Sequence, residues 1–240
     1  RRGGRHGRLV ILTSGTTGAP KGSRRDPDVL GALAPLSSLV SAIRLRSGDP
    51  VMILPPLFHG FGLAYLLMAI SLGCSVSILE RADADVVLER IADDRVQVLF
   101  AVPVMLGRMA DAAAGSSADL STLRAVQSGA APLAPALAER FMSTFGELLH
   151  DVYGSTETGW STLAGPGNLR AAPGTVGPPL RGVSVRILDD ADMPISDGTI
   201  GQVFVDSGMT APDYTGGGSK RIVDGHVSTG DLGHLDSAGR

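Results

Sequence analysis

The chain has a single cysteine in 240 residues, Cys74, so it can form no internal disulfide and no metal site built on several thiolates. That usage fits a reducing compartment and leads us to expect a cytoplasmic protein, with Cys74 in the core. Long hydrophobic runs are also missing. No stretch approaches the roughly 18 apolar residues that span a bilayer, and the start "RRGGRHGRLV" lacks the apolar middle of a signal peptide. No transmembrane segment is expected, and membrane contact at most peripheral. The net charge of −3 gives no bulk electrostatic reason to bind nucleic acid or an anionic surface. Arg1, Arg2, Arg5, Arg8 and His6 read as a basic, mobile N-terminal segment over residues 1–8. Lysine is scarce: only Lys21 and Lys220 stand among the 21 basic residues. The histidines other than His59 show no spacing of zinc ligands.

Against this background, "TSGTTGAPKG" over residues 13–22 stands out. Glycines, hydroxyl residues and one of the two lysines crowd behind the apolar run "LVIL". Glycine lets successive backbone N–H groups converge, while hydroxyls and an ammonium add donors, so the composition suits a loop wrapped around an anion. A plain polar turn after a strand is the alternative. The stretch is no Walker A loop, because Pro20 stands where that pattern needs its second glycine and Gly22 where it needs Ser or Thr.

A chain of this length with 43% apolar residues can bury a sizeable core. The runs "VMILPP", "CSVSIL", "VQVLFAV", "LRAVQSG" and "LLHDVYG" read as buried strands. Helices are expected over residues 63–72, 84–93, 104–113 and 134–145. Another is expected to begin at Asp26-Pro27, with Pro35 kinking or breaking it. This alternation implies an α/β fold with a largely parallel sheet flanked by helices, whose ligands gather at the carboxyl ends of the strands. The Gly/Pro-rich "AGPGNLRAAPGTVGPPLRG" reads as loop, and "VSVRIL", "GQVFV" and "HVSTGDLGHLD" as short strands at hairpin spacing. We therefore expect an α/β subdomain over residues 9–170 and a small, barrel-like β subdomain over residues 171–240.

The glycine loop is followed, in order, by "PLFHGFG", "SGAAPL", "YGSTETG" and "STGDLGHLD". Together these five motifs resemble the adenylate-forming superfamily of acyl-CoA synthetases, luciferases and peptide-synthetase adenylation domains, over residues 9–240. The resemblance implies that the loop holds the outer phosphates of ATP while a carboxylate attacks the α-phosphorus. An ordinary carboxylic acid, with a pKa of about 4 to 5, is already an anion at neutral pH, so no base is needed to make the nucleophile. What is needed is neutralisation of the triphosphate and a fixed line of attack, from Mg²⁺, backbone donors, hydroxyls and cations.

Carried onto this sequence, the resemblance implies that Thr13, Ser14, Thr16, Thr17 and Lys21 donate to phosphate, with Gly15, Gly18 and Gly22 giving backbone freedom. Glu157 becomes the Mg²⁺ ligand and Thr156 a donor to the α-phosphate. Gly129, Ala130 and Ala131 let the purine lie against backbone, Tyr153 followed by Gly154 offers a ring for its face, and Asp151 an acceptor for its amino group. Asp231 accepts the ribose hydroxyls. His59 lies near the acyl carboxylate, with Phe58, Phe61, Gly62, Gly159, Trp160 and Ser161 lining an acyl tunnel. Lys21, Thr156, Glu157 and His59 thus stand as the catalytic candidates.

The expected activity is conversion of a carboxylic acid, a fatty acid on the look of "PLFHGFGLAYLLMAISLG", to acyl-AMP and then acyl-CoA, with ATP, Mg²⁺ and coenzyme A. An acyl-AMP ligase loading a carrier protein and a non-catalytic nucleotide- or acyl-binding module are the alternatives. Family members carry a hinge and a small C-terminal domain with a catalytic lysine beyond the "DLG" motif. The chain is accordingly expected to be a fragment of the large domain that is inactive alone, and either less stable than the intact domain or self-associating.

Overall fold

The computed structural model describes residues 10–13, 21–24, 29–210 and 220–240, the segments up to residue 30 as backbone only. The basic N-terminal segment and the Asp26-Pro27 helix start lie outside the described residues. The first two strands, β1 (Val10–Thr13) and β2 (Lys21–Arg24), form an antiparallel hairpin in which Thr13 pairs with Lys21.

Helix α1 (Val29–Ala42) precedes a run of strands and helices in alternation: β3 (Pro50–Ile53), α2 (Gly60–Ser71), β4 (Ser75–Ile78), α3 (Ala84–Asp93), β5 (Val98–Phe100), α4 (Pro103–Ala112), β6 (Ala125–Gly129), α5 (Pro135–Phe145) and β7 (Leu149–Ser155). A hairpin partner, β8 (Gly159–Ala164), completes a six-stranded sheet in the order β4-β3-β5-β6-β7-β8, with all pairings from β4 to β7 parallel. Crossover helices demand this arrangement, since parallel neighbours need long connections. The helices are set by apolar spacing and start signals. Val87, Leu88 and Ile91 of α3 share one buried stripe, Pro103 and Pro135 occupy first-turn positions, and Gly146 ends α5 at φ +90°.

The chain divides into two compact units, one of residues 37–153 and 162–178, the other of residues 1–36, 154–161 and 179–240. The first packs Met52, Leu88, Ile91, Leu99, Leu106, Val126 and Phe141 into one core. The second holds an antiparallel sheet in the order β11-β12-β10-β9, from β9 (Val183–Leu188), β10 (Gly201–Ser207), β11 (Ile222–Val223) and β12 (His226–Gly233). Its core is smaller, centred on Ile187, Val203 and Val205.

Several elements depart from expectation. Helix α1 runs unbroken through Pro35, whose ring nitrogen carries no N–H to give back to the Gly31 carbonyl. That carbonyl packs against Gly208, where a Cβ would come within 2.4 Å of its oxygen. The Gly/Pro-rich stretch contains a short helix, α6 (Pro166–Ala171), started by Pro166 and closed by the Asn168 side chain accepting the Gly165 N–H at 3.0 Å, with Leu169 buried. Strand β4 is an edge strand with partly exposed positions, and Cys74, expected in the core, is half-buried, its thiol donating to the Arg46 carbonyl at 3.5 Å. No helix among the described residues is long and apolar enough to cross a membrane.

Candidate functional site

In the parallel-sheet unit the candidate residues collect where β6 and β7 end. The two strands pair in register, Ser128 opposite Asp151 and Gly129 opposite Val152. Paired residues share a face of the sheet, so Ser128 and Asp151 lie side by side. Both are buried, Asp151 to 6% exposure, and neither Asp151 Oδ1 nor Ser128 Oγ has a hydrogen-bond partner among the described residues. Burial pushes the Asp151 carboxyl up to about 6, and the neighbouring Ser128 hydroxyl eases part of that rise. Buried polar atoms without partners are uncommon and mark places where a ligand or water completes the set.

Beyond β6 the backbone turns sharply. Ala130 adopts φ +64°, which a residue with a Cβ seldom does, and strain of this kind gathers at ligand sites. Gly129 is required sterically: a Cβ there would stand 2.5 Å from the Phe61 ring and 2.7 Å from Val152 Cγ1. Ala131 is exposed and Tyr153 half-buried.

His59 precedes α2 with extended backbone, an exposed side chain and a ring tilted at 4.6 Å from that of Phe58, itself 84% exposed. Its carbonyl accepts from Leu63, and its N–H donates to Pro56. Gly62 makes the turn before it possible, since a Cβ there would lie 2.6 Å from the Pro56 oxygen and 2.7 Å from that of Pro55.

In the second unit the "YGSTETG" motif forms the tight turn from β7 into β8, and a set of hydroxyls holds it. Ser155 Oγ accepts the N–H groups of Glu157 and Thr158, both at 3.2 Å. Thr158 is fully buried. Its Oγ1 accepts the Ser155 N–H at 3.3 Å and lies 3.1 Å from the hydroxyls of both Ser155 and Ser161. From the end of β10, Ser207 Oγ donates to the Thr158 carbonyl at 2.7 Å. Gly154 and Gly159 allow the close approach, as a Cβ on Gly154 would lie 2.0 Å from the Gly159 oxygen. Thr156 and Glu157, half-buried, are therefore carried on a backbone fixed from both sides. Ser155, Thr158 and Ser207 were not singled out from the sequence. The S-x-x-T spacing of Ser155 and Thr158 is the signal for such a turn.

Asp231 lies exposed on β12, after Gly230 at φ +89°. Its N–H donates to Thr229 Oγ1 at 3.1 Å, and that hydroxyl donates to the Val203 carbonyl at 3.1 Å, while Lys220 donates to the Thr229 carbonyl. Of the glycine loop, Ser14, Gly15, Thr16, Thr17 and Gly18 lie outside the described residues. Its ends, Thr13 and Lys21, are brought together by the β1–β2 pairing. The structure thus gathers Gly129, Ala130, Ala131, Asp151 and Tyr153 in one unit and Gly154, Thr156 and Glu157 in a single turn of the other. Among the described residues, no three acidic, histidine or cysteine side chains cluster as a metal site.

Known proteins resemble the chain along almost its whole length. The chain is 30% identical to an indoleacetate–CoA ligase from Aromatoleum aromaticum over 236 residues, 96% of this chain and 46% of that protein. It is also 30% identical to the fatty acid–[acyl-carrier-protein] ligase ScoC from Streptomyces coeruleorubidus, over 95% of this chain and 46% of that protein. Among solved structures, ATP-bound MatB from Rhodopseudomonas palustris superposes with a TM-score of 0.84 at 30% identity, covering 96% of this chain and 46% of that one. The chain spans about half the length of these relatives. The family model described as AMP-binding enzyme matches residues 5–215, from before the glycine loop to past the end of β10, and the chain belongs to that family.

Proposed function

We propose that the protein activates a carboxylic acid with ATP, forming an acyl-adenylate and pyrophosphate, and then passes the acyl group to coenzyme A. The observation that carries this reading is the β7–β8 turn, in which hydroxyl and amide hydrogen bonds fix the backbone around Thr156 and Glu157 directly after Asp151 and Tyr153. The likeness to ATP-bound MatB supports ATP as the nucleotide. In the first step a carboxylate oxygen bonds to the α-phosphorus and the bond to the bridging oxygen breaks, with pyrophosphate taking the electron pair. In the second the sulfur of coenzyme A bonds to the acyl carbon and AMP leaves.

The resemblance to adenylate-forming enzymes supplies the roles, and the donor chemistry of these residues suits them. Thr13, Ser14, Thr16, Thr17 and Lys21 cradle the outer phosphates with the backbone of Gly15 and Gly18, and Thr156 donates to the α-phosphate. Gly129, Ala130 and Ala131 lie against the purine, with Tyr153 on its face beside Gly154 and the unpartnered Asp151 oxygen toward its amino group. Asp231 takes the ribose hydroxyls, and His59 attends the incoming carboxylate. Glu157 suits Mg²⁺, a hard cation that takes one or two protein carboxylates and completes its shell with phosphate and water. When bound, Mg²⁺ supplies charge neutralisation at the transferring phosphoryl group.

The similarity to ScoC favours a second reading for the acceptor, a carrier-protein thiol in place of coenzyme A. The acid itself stays open between the fatty acid expected from the sequence and the aryl acid in the name of the indoleacetate ligase. The test of the activity is acid-dependent release of pyrophosphate by the full-length protein, compared with Glu157→Gln. Coenzyme A and a carrier protein offered in parallel then identify the acceptor.

A further inference from the structure

The antiparallel sheet of the second unit carries a nucleophile and a base that the proposed reaction does not use. Strands β9 and β12 flank β10, and alternation along them puts Ser184 and His226 on the face opposite the core residues Val185, Val205 and Val227. The imidazole reaches across β10, where Asp206 is the residue paired with Ser184. Its Nε2 lies 2.9 Å from Ser184 Oγ, and its Nδ1 lies 3.1 Å from the carbonyl oxygen of Asp224. A carbonyl oxygen only accepts. In the neutral ring Nδ1 therefore carries the hydrogen, and Nε2 is left as the acceptor for the Ser184 hydroxyl. A hydroxyl, a base within hydrogen-bond reach and a third group that orients the base are the parts of an activated nucleophile.

The two members differ in access. His226 is 4% exposed and so held in place by its surroundings, whereas Ser184 is exposed, so a reagent in solvent meets the oxygen before the ring. The charges on this face suit the reaction. Asp206 and Asp224 place carboxylates near the imidazole, which favours the cation formed when the ring takes a proton. Arg186, two residues along β9 from Ser184 and on the same face, is bound to the Asp224 carboxylate at 3.2 Å and puts a guanidinium on the side where a carbonyl oxygen would gain charge.

We propose that Ser184, activated by His226, is a second nucleophile of this protein, which takes the acyl group of an activated ester independently of the acid activation proposed above. Ser184 Oγ bonds to the acyl carbon as its proton passes to His226 Nε2. The bond from that carbon to the ester oxygen breaks, and the leaving oxygen takes the electron pair and the proton from His226. Water then removes the acyl group by the same exchange, so the net reaction is ester hydrolysis. The experiment treats the full-length protein with an alkyl fluorophosphonate, which forms a stable phosphorus–oxygen bond to an activated serine as fluoride leaves, and maps the adduct by peptide mass spectrometry. Ser184 is expected to be labelled at least about a hundredfold faster than Ser196 and Ser237, exposed serines of the same unit. His226→Gln should slow labelling by a similar factor. In parallel, release of nitrophenolate from 4-nitrophenyl acetate should fall to the background rate in Ser184→Ala, while acid-dependent pyrophosphate release stays unchanged. The comparison among the three serines needs no variant, so it decides the matter even if His226→Gln fails to fold. Equal labelling of the three serines, a folded His226→Gln labelled at the wild-type rate, or nitrophenolate release that survives in Ser184→Ala overturns the proposal and leaves acid activation untouched.

Discussion

Asp151→Asn is the substitution whose effect can be worked furthest from the structure. The carboxyl is buried at the end of β7 and its pKa is raised to about 6, with desolvation as the main cause. An unfolded aspartate titrates near 3.9, so ionising this group in the folded protein costs about 3 kcal/mol more than in the unfolded chain. The sign follows from proton binding: the folded state holds the proton more tightly, so this group favours folding at low pH. Its advantage is complete below pH ~4, fades between ~4 and ~6 and is gone above ~7. Replacing the carboxyl with a neutral amide of nearly the same shape removes the penalty. Asp151→Asn is therefore expected to be more stable than wild type by about 3 kcal/mol at pH 8 and nearly equal to it at pH 4. Urea unfolding at a series of pH values, followed by circular dichroism, reads this difference directly. Equal stabilities at pH 8, or a variant less stable there than the wild type, would show that burial does not govern this carboxyl.

Two further outcomes come from the geometry and a third from the proposed roles. Thr158→Val keeps the shape but strips the partner from the Ser155 N–H and two hydroxyls, so it is expected to cost about 1–3 kcal/mol in stability; thermal unfolding would detect it, and pyrophosphate release should fall through kcat more than KM for the acid. Gly154→Ala places a methyl 2.0 Å from the Gly159 oxygen, which is backbone and cannot step aside, so the β7–β8 turn should be disrupted and soluble yield or Tm should drop sharply. In nucleotide titrations by calorimetry, Asp231→Ala should weaken AMP and ATP alike, whereas Lys21→Ala should weaken ATP and spare AMP. Equal loss of AMP binding in Lys21→Ala would remove the lysine from the outer phosphates.

Much of the fold was legible because burial imposes strong periods. The strands around Val51, Val98, Ala125 and Leu149 are short apolar runs, and α3 shows its buried stripe in Val87, Leu88 and Ile91. The departures have local causes. In α6 only one residue is buried, Leu169, so no periodicity distinguishes it from the surrounding glycines and prolines. Pro35 reads as kinking or breaking the helix because the sequence does not reveal that Gly208 comes up against the Gly31 backbone. Cys74 follows an apolar helix and precedes an alternating run, yet its strand falls at the sheet edge, which only the strand order decides. At the site, the motif residues could be named from the order of their motifs. The hydroxyls that hold Thr156 and Glu157 could not, because Ser and Thr in a turn look alike whether they face water or one another. Ser207 in particular lies 49 residues from the carbonyl it supports.

In the proposed reaction AMP passes to a carboxylate while Glu157 holds the metal against the triphosphate. Pyrophosphate release by the full-length protein with ATP, Mg²⁺ and aryl and straight-chain acids, for the wild type and Glu157→Gln side by side, decides it. Release is expected to depend on the acid and to fall in Glu157→Gln by about a hundredfold or more with folding unchanged. Release that no acid stimulates, or a Glu157→Gln variant that keeps the wild-type rate, would contradict it.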